Sequence, residues 1–462
     1  AEAKKSSGVV IDIETALAKA SLTRVERRDP YKQKNKMSLA QVSELAPHFD
    51  WTKFFRALGS PTFQIVNVKA PAFFKEADAQ LTRQPLKNWK QYLRYHLVNA
   101  YAPYLSAAWV EENFDFYRKY LGGARELQPR WKRCVQYANN ELTEAVGRIY
   151  VDRVFSPELK ERTLVMSKAI ERVMDGRIRA LDWMSAKTKE RALEKLHAIR
   201  NKIGYPNRWR DYSSVKIVPN DFPRNMRNAI AFESHRRLDK IGQPLDRDEW
   251  FLGSQVVNAG YNPQFNDVTF TAAILQPPLY DSRMDDAPNY GNTGGTIGHE
   301  LTHGFDDEGS QFDAKGNLAN WWTPEDAKEF AQRTKCVENQ YSGYLAVGDI
   351  HVDGKLTLGE SVADLGGEIL AYVAWKGDTK NKKLEPVDGL TPDQRFFVGF
   401  AQWACSNATL EQRRQWALTD PHPPARYRIN GVVVNMPEFT KAFSCKSGQP
   451  MVKQANQICR VW

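Results

Sequence analysis

The sequence predicts a mainly α-helical protein built as two units with different duties, and three observations carry that expectation. Apolar residues recur at helical spacing through the first half, and short strand-like runs appear only after residue 250. The charge balance also reverses: residues 1–250 hold 46 Lys and Arg against 30 Asp and Glu, whereas residues 251–462 hold 19 against 25. A chain of 462 residues suffices for two large domains or about three ordinary ones. With 42% hydrophobic and 26% charged residues it reads as globular, which excludes collagen-like, disulfide-dense and wholly disordered classes. No run approaches the roughly 18 apolar residues of a membrane span, the densest being Phe396–Cys405, so no span is expected. The basic half raises nucleic-acid binding, but Lys and Arg alternate with acids on predicted helix faces, as in Lys187–Arg200, and no recognition motif appears. No nucleic-acid partner is expected. The chain opens at Ala1 without Met or a signal-peptide pattern, which predicts a processed or trimmed start.

Taken in order, helices are expected around Ile11–Ala20, Gln41–Leu45 and Leu86–Ala107. Leu159, Leu164, Ala169, Ile170, Val173 and Met174 share one helical face, predicting a helix over Pro157–Ala180. Another is predicted from Ser185, a suitable N-cap, to Ile203, where Gly204-Tyr205-Pro206 stops it. The turn-rich stretch Gly204–Arg224 is the candidate boundary, giving a helical domain over 1–220 and a second domain over 221–462. In the latter, Gln255–Tyr261 and Val268–Ala273 read as strands of a hairpin with a longer loop. A glycine cluster (Gly291, Gly294, Gly295, Gly298) then leads into His299-Glu300-Leu301-Thr302-His303.

That pentad is the clearest chemical signal in the chain. On a helix, His299 and His303 lie one turn apart on one face, where both imidazoles can share a metal. Glu300 projects beside them, placed to take a proton from a water the metal activates. Zinc suits the set, because two imidazoles and one carboxylate leave a fourth position open. The third ligand should come from a downstream helix, and Glu360 in Leu358–Gly367 is the best candidate. Asp364, four residues on, can hold the other nitrogen of a ligand histidine. A competing reading is open at this point: Thr357-x-x-Glu360 is also a capping-box pattern.

Several longer motifs resemble the neprilysin and endothelin-converting-enzyme family of zinc endopeptidases, including its bacterial oligopeptidase members. They are Val257-Asn258-Ala259, Ile274–Pro278, His299–Asp307, Asn320-Trp321-Trp322, Gly359–Gly367, Asp420-Pro421-His422 with Arg428, and Cys459-Arg460-Val461-Trp462. In the helical half, Trp183-Met184, Thr188-Lys189 and Ile203–Pro206 agree. The resemblance implies one zinc ion on His299, His303 and Glu360, with Glu300 as general base and proton shuttle. It implies Asp364 as a supporting carboxylate, His422 as oxyanion stabiliser, Arg428 on a substrate carbonyl, and Asn258 and Ala259 on an extended peptide by strand addition. Gly260 departs from the family, whose members usually carry an aromatic there, and this predicts a looser strand or an opened subsite.

The fold implied by the resemblance is a two-domain gluzincin-type metallopeptidase. A helical domain covers a zinc catalytic domain that has a small β element, and together they enclose a central cavity admitting short peptides. The activity implied is hydrolysis of internal bonds of short peptides, on the amino side of hydrophobic residues. A catalytically silent binding protein on the same scaffold is the alternative, and the presence of every implied catalytic residue speaks against it. The resemblance also implies a disulfide between Cys336 and Cys459 and an extracytoplasmic setting, whether secreted, periplasmic or as an anchored ectodomain. The family counterparts of Cys134, Cys405 and Cys445 pair with an N-terminal segment, which predicts a helical, cysteine-containing stretch upstream of Ala1; the alternative is a shortened enzyme with free or rearranged thiols in a reducing compartment.

Overall fold

The computed structural model describes residues 2–462 and is mainly helical, with small sheets. Contacts group the chain into two units, Ala1–Leu142 with Asp211–Asp246, and Thr143–Arg210 with Arg247–Trp462.

In the first unit the helix Glu2–Lys19 packs against Pro71–Arg83 and Leu86–Tyr101, burying Ile13 and Leu17. Ser38 caps Leu39–Leu45 in a reciprocal capping box with Gln41. The single helix expected over Leu86–Ala107 is divided: it stops at Tyr101, makes a tight turn at Ala102–Tyr104 and resumes as Ala107–Phe114. Pro103 explains the break, because it has no N–H to donate and its ring crowds the preceding turn.

In the second unit the helix Pro157–Ala180 forms where expected, with Ser156 Oγ accepting from the Leu159 N–H. Its buried face runs Met166, Ile170, Met174 and Ile178, the three-to-four spacing of a helix pressed on a core. The next helix is shorter than expected. It ends at His197, and Arg200–Gly204 forms a strand rather than continuing to Ile203 as helix. Sequence periodicity could not separate the two, since Ile199 and Ile203 are both buried either way. What decides is a distant partner, the strand Asp267–Thr271, which pairs in parallel with Arg200–Gly204 and is buried along its whole length. Ala259–Asn262 pairs antiparallel on the other side, so the sheet is three-stranded with this strand at its edge.

Two helices form the centre of this unit, Gly295–His303 and Leu358–Asp378, which pack on each other while Pro157–Ala180 backs both. Their crossing is a backbone contact. A Cβ on Gly298 would fall 2.3 Å from Gly367 O, and one on Gly367 would fall 2.3 Å from His299 N. Only glycine permits that approach. The chain end returns to this core: a disulfide joins Cys336, in the helix Pro324–Ser342, to Cys459, and the Trp462 ring packs 5.5 Å from that of Phe330. Among the described residues no helix is long and apolar enough to cross a membrane.

Candidate metal centre

The glycine crossing determines which side chains meet. From Gly295–His303, the Nε2 atoms of His299 and His303 converge to 2.9 Å. From Leu358–Asp378, Glu360 presents Oε2 3.4 Å from His299 Nε2 and Oε1 3.7 Å from His303 Nε2. One ligand atom from each residue lies within 4.8 Å of the others. Tetrahedral zinc with bonds of about 2.0–2.1 Å holds its ligands about 3.3 Å apart, so the three separations bracket what one zinc ion requires. Two imidazoles and a carboxylate are also the donor types zinc takes with one position left open. The capping-box alternative for Glu360 is not realised, because Thr357 makes no side-chain cap and its hydroxyl donates back to Asp353 O.

Each histidine is held from behind by a carboxylate. His299 Nδ1 stands 2.8 Å from Asp364 Oδ1, and His303 Nδ1 stands 2.7 Å from Asp306 Oδ2. A carboxylate at Nδ1 fixes the proton there and leaves the Nε2 lone pair for a metal. Asp364 is expected from the sequence and Asp306 is not. The available signal was its place three residues after His303, where the chain leaves the helix and can turn a short acid back onto the ring.

Electrostatics follow from this layout. Burial works against both imidazolium ions, yet the surrounding carboxylates outweigh it: Asp364 and Glu360 raise the pKa of His299, and Glu360 and Asp306 raise that of His303 well above its usual value. Glu360 is correspondingly held well below the carboxylate range, burial being outweighed by His303 and His299. Burial raises the pKa of Glu300, and the two histidines moderate the rise. A carboxyl whose affinity for a proton is raised is better suited to receiving one.

The other expected site residues are brought together to different degrees. Arg428 is no surface arginine. Its Nε and Nη2 donate to Asp364 Oδ2 and Oδ1 at 2.8 and 2.7 Å, its Nη2 reaches Glu360 Oε2 at 3.5 Å, and its guanidinium lies 4.2 Å over the Trp403 ring. It therefore anchors the carboxylate that anchors His299. His422 also meets Glu360, with Nε2 3.3 Å from Oε2, and its ring is held by Asp420 at 2.7 Å from Nδ1. Asn258 is exposed and immediately precedes the edge strand, its carbonyl accepting from Thr271 Oγ1 at 2.9 Å; Ala259 begins the ladder opposite Phe270. At Gly260 the structure supplies an aromatic from elsewhere: a Cβ there would sit 2.9 Å from the Phe251 ring, which fills the space against the strand.

Comparison with known proteins gives consistent matches along the chain. Residues 1–206 and 258–460 match the two models described as Peptidase family M13. Human endothelin-converting enzyme 1 is 34% identical over 471 residues, covering 98% of this chain and 60% of that protein. Human neprilysin is 33% identical over 481 residues, covering 98% and 63%. The chain thus spans about three fifths of the length of these curated relatives. The crystal structure of Mycobacterium tuberculosis zinc metalloprotease ZMP1 in complex with inhibitor superposes with a TM-score of 0.95 at 38% identity, covering 99% of this chain and 70% of that one.

Proposed function

The chain belongs to peptidase family M13, and from that membership we propose that it is a zinc-dependent endopeptidase acting on internal bonds of short peptides. One observation carries the reading: His299, His303 and Glu360 converge with zinc-like spacing while Glu300 sits on the helix of the two histidines, buried and with its pKa raised. Zinc held by those three residues supplies a Lewis acid that polarises a carbonyl and lowers the pKa of water to about 7.

This chain's own residues do the rest. Glu300 takes the proton of the attacking water and passes it to the leaving amine. Asp364 and Asp306 keep the ligand imidazoles in the productive tautomer. His422, with Nδ1 held by Asp420, aims Nε2 at the charge that develops on the former carbonyl oxygen. Arg428 holds a substrate carbonyl beside Asp364, and Asn258 with Ala259 aligns the peptide as an added strand. The ligand imidazoles are largely buried, so an extended segment reaches them more readily than a loop on a folded protein. Cleavage on the amino side of hydrophobic residues belongs to the same reading, with Phe251 against Gly260 shaping the neighbouring subsite. So do a catalytic duty for 221–462 and a covering duty for 1–220, of which Pro157–Ala180 also backs the histidine helix. The Cys336–Cys459 disulfide supports an extracytoplasmic setting.

The test is an internally quenched peptide assayed with and without a zinc chelator, beside the Glu300→Gln variant. Chelation should abolish cleavage and added zinc restore it. Glu300→Gln should bind zinc normally and lose about 10²–10⁴-fold or more in kcat. Cleavage that persists in chelator contradicts the reading.

A further inference from the structure

We propose that Lys195 is a positioning residue for the metal site, pinning the turn that carries Asp306 and, through Asp306, the His303 imidazole. The inference rests on the zinc reading above and concerns a residue 108 positions upstream of the histidine it orients.

Lys195 lies on the helix Ala186–His197 and is 1% exposed, which is rare for a lysine. Its Nζ donates to Gly309 O at 2.6 Å and Phe312 O at 2.8 Å, and sits 5.5 Å from the centroid of the Phe305 ring. Those carbonyls belong to the turn that follows the histidine helix. Within it, Asp306 Oδ1 accepts from Gly309 N at 2.7 Å and Glu308 N at 2.9 Å, while Oδ2 stands 2.7 Å from His303 Nδ1. The chain of contacts is therefore continuous. Lys195 holds the carbonyl of Gly309, the amide of Gly309 holds Asp306, and Asp306 holds the ligand ring.

The turn leaves little slack. A Cβ on Gly309 would fall 1.8 Å from His303 O, so the turn lies directly on the end of the histidine helix. Its other carbonyls are claimed as well: Ser310 O by Trp322 Nε1 at 3.0 Å, and Ala314 O by Asn266 Nδ2 at 3.1 Å, an amide that also donates to Lys195 O. Packing alone does not call for lysine at this position. Burial drives its pKa down to about 7 against the pull of Asp306 and Asp313, and an aliphatic side chain would carry no such penalty. What an aliphatic chain cannot do is donate to two carbonyls of the turn.

The experiment measures the zinc dissociation constant by chelator competition, and the melting temperature of the metal-free protein. The proteins are wild type, Lys195→Met, Lys195→Arg, Asp306→Asn, and the Lys195→Met/Asp306→Asn double variant. Lys195→Met should weaken zinc binding by about 10- to 100-fold, the range for groups that orient a metal ligand. The double variant should bind no more weakly than the weaker single variant, because both losses pass through one imidazole. Lys195→Arg, which keeps N–H donors, should recover part of the affinity. If Lys195→Met does not fold, Lys195→Gln is read in its place by the same criteria. A lowered melting temperature with unchanged zinc affinity, or losses that multiply in the double variant, overturns the proposal. Wild-type protein that binds no zinc overturns the metal reading itself, which separates the two failures.

Discussion

At the scale of the residue, the site works by giving every imidazole two partners of different kinds, a carboxylate behind and a metal position in front. In the metal-free protein the carboxylates favour the protonated form of both imidazoles. Burial would make both histidines poor bases, but Asp364, Asp306 and Glu360 outweigh it and raise both pKa values. A histidine whose folded pKa is raised contributes stability that is fully present below its unfolded pKa and is lost as pH rises through the folded value. Metal-free protein should therefore lose this contribution as pH rises. Zinc, which must displace the proton, should bind more weakly as pH falls. Titrating the dissociation constant from about pH 8 to about pH 5.5 should show a steady weakening, with the gain in melting temperature from zinc largest at the alkaline end. A flat profile would mean that the carboxylates do not govern the imidazoles.

At the scale of the element, the helix Leu358–Asp378 presents three acids on one face at four-residue intervals, and each has a different environment. Glu360 faces the histidines, Asp364 is satisfied by Arg428, and Glu368 is buried with neither carboxyl oxygen hydrogen-bonded. Burial, with Asp364 nearby, raises the pKa of Glu368 well above the usual range. An unsatisfied buried polar group costs about 1–3 kcal/mol, so Glu368→Leu should raise stability by that order. The sign with pH is definite. A carboxyl with a raised folded pKa is least harmful below its unfolded pKa, and its contribution is lost as pH rises toward the folded value. The advantage of Glu368→Leu in denaturant unfolding should therefore shrink toward about pH 4 and be largest at neutral pH and above. A variant less stable than the wild type would point to a partner that the carboxyl needs. The same helix shows why glycine recurs in its sequence: Gly367 admits the backbone of the histidine helix, and without that approach Glu360 would stand off from the imidazoles.

At the scale of the whole molecule, the C-terminal tail is part of the core that supports the site. Cys459 is 1% exposed and bonded to Cys336 across a sequence separation of 123, and Trp462 packs against Phe330 and Phe305. Closing a loop of that length restricts the unfolded chain by about 4–5 kcal/mol in the chain-entropy account. Cys459→Ser should lower stability by about 2–5 kcal/mol, read in denaturant unfolding of metal-free protein. Zinc affinity of the folded fraction should change little, since the bond touches no ligand. A large loss of zinc affinity would tie the tail to the site more closely than its contacts do. Cys134, Cys405 and Cys445 are unpaired among the described residues.

Sequence alone determined what is periodic or closely spaced. The helix Pro157–Ala180, the pairing of His299 with His303, and the candidacy of Glu360 and Asp364 all rest on intervals of three or four residues, which one helical turn converts into a shared face. Tertiary structure decided whatever depends on a partner far along the chain. Arg200–Gly204 is a strand because Asp267–Thr271 lies beside it, and Arg428 serves Asp364 because its helix packs there. Asp306 turns back on His303 within a turn held by Lys195, and Glu360 meets the histidines because Gly298 and Gly367 let two backbones touch. The physical reason is the same throughout: a helix's hydrogen-bond register is written into neighbouring residues and fixes its faces, whereas the choice of which faces meet belongs to the packing of the whole chain.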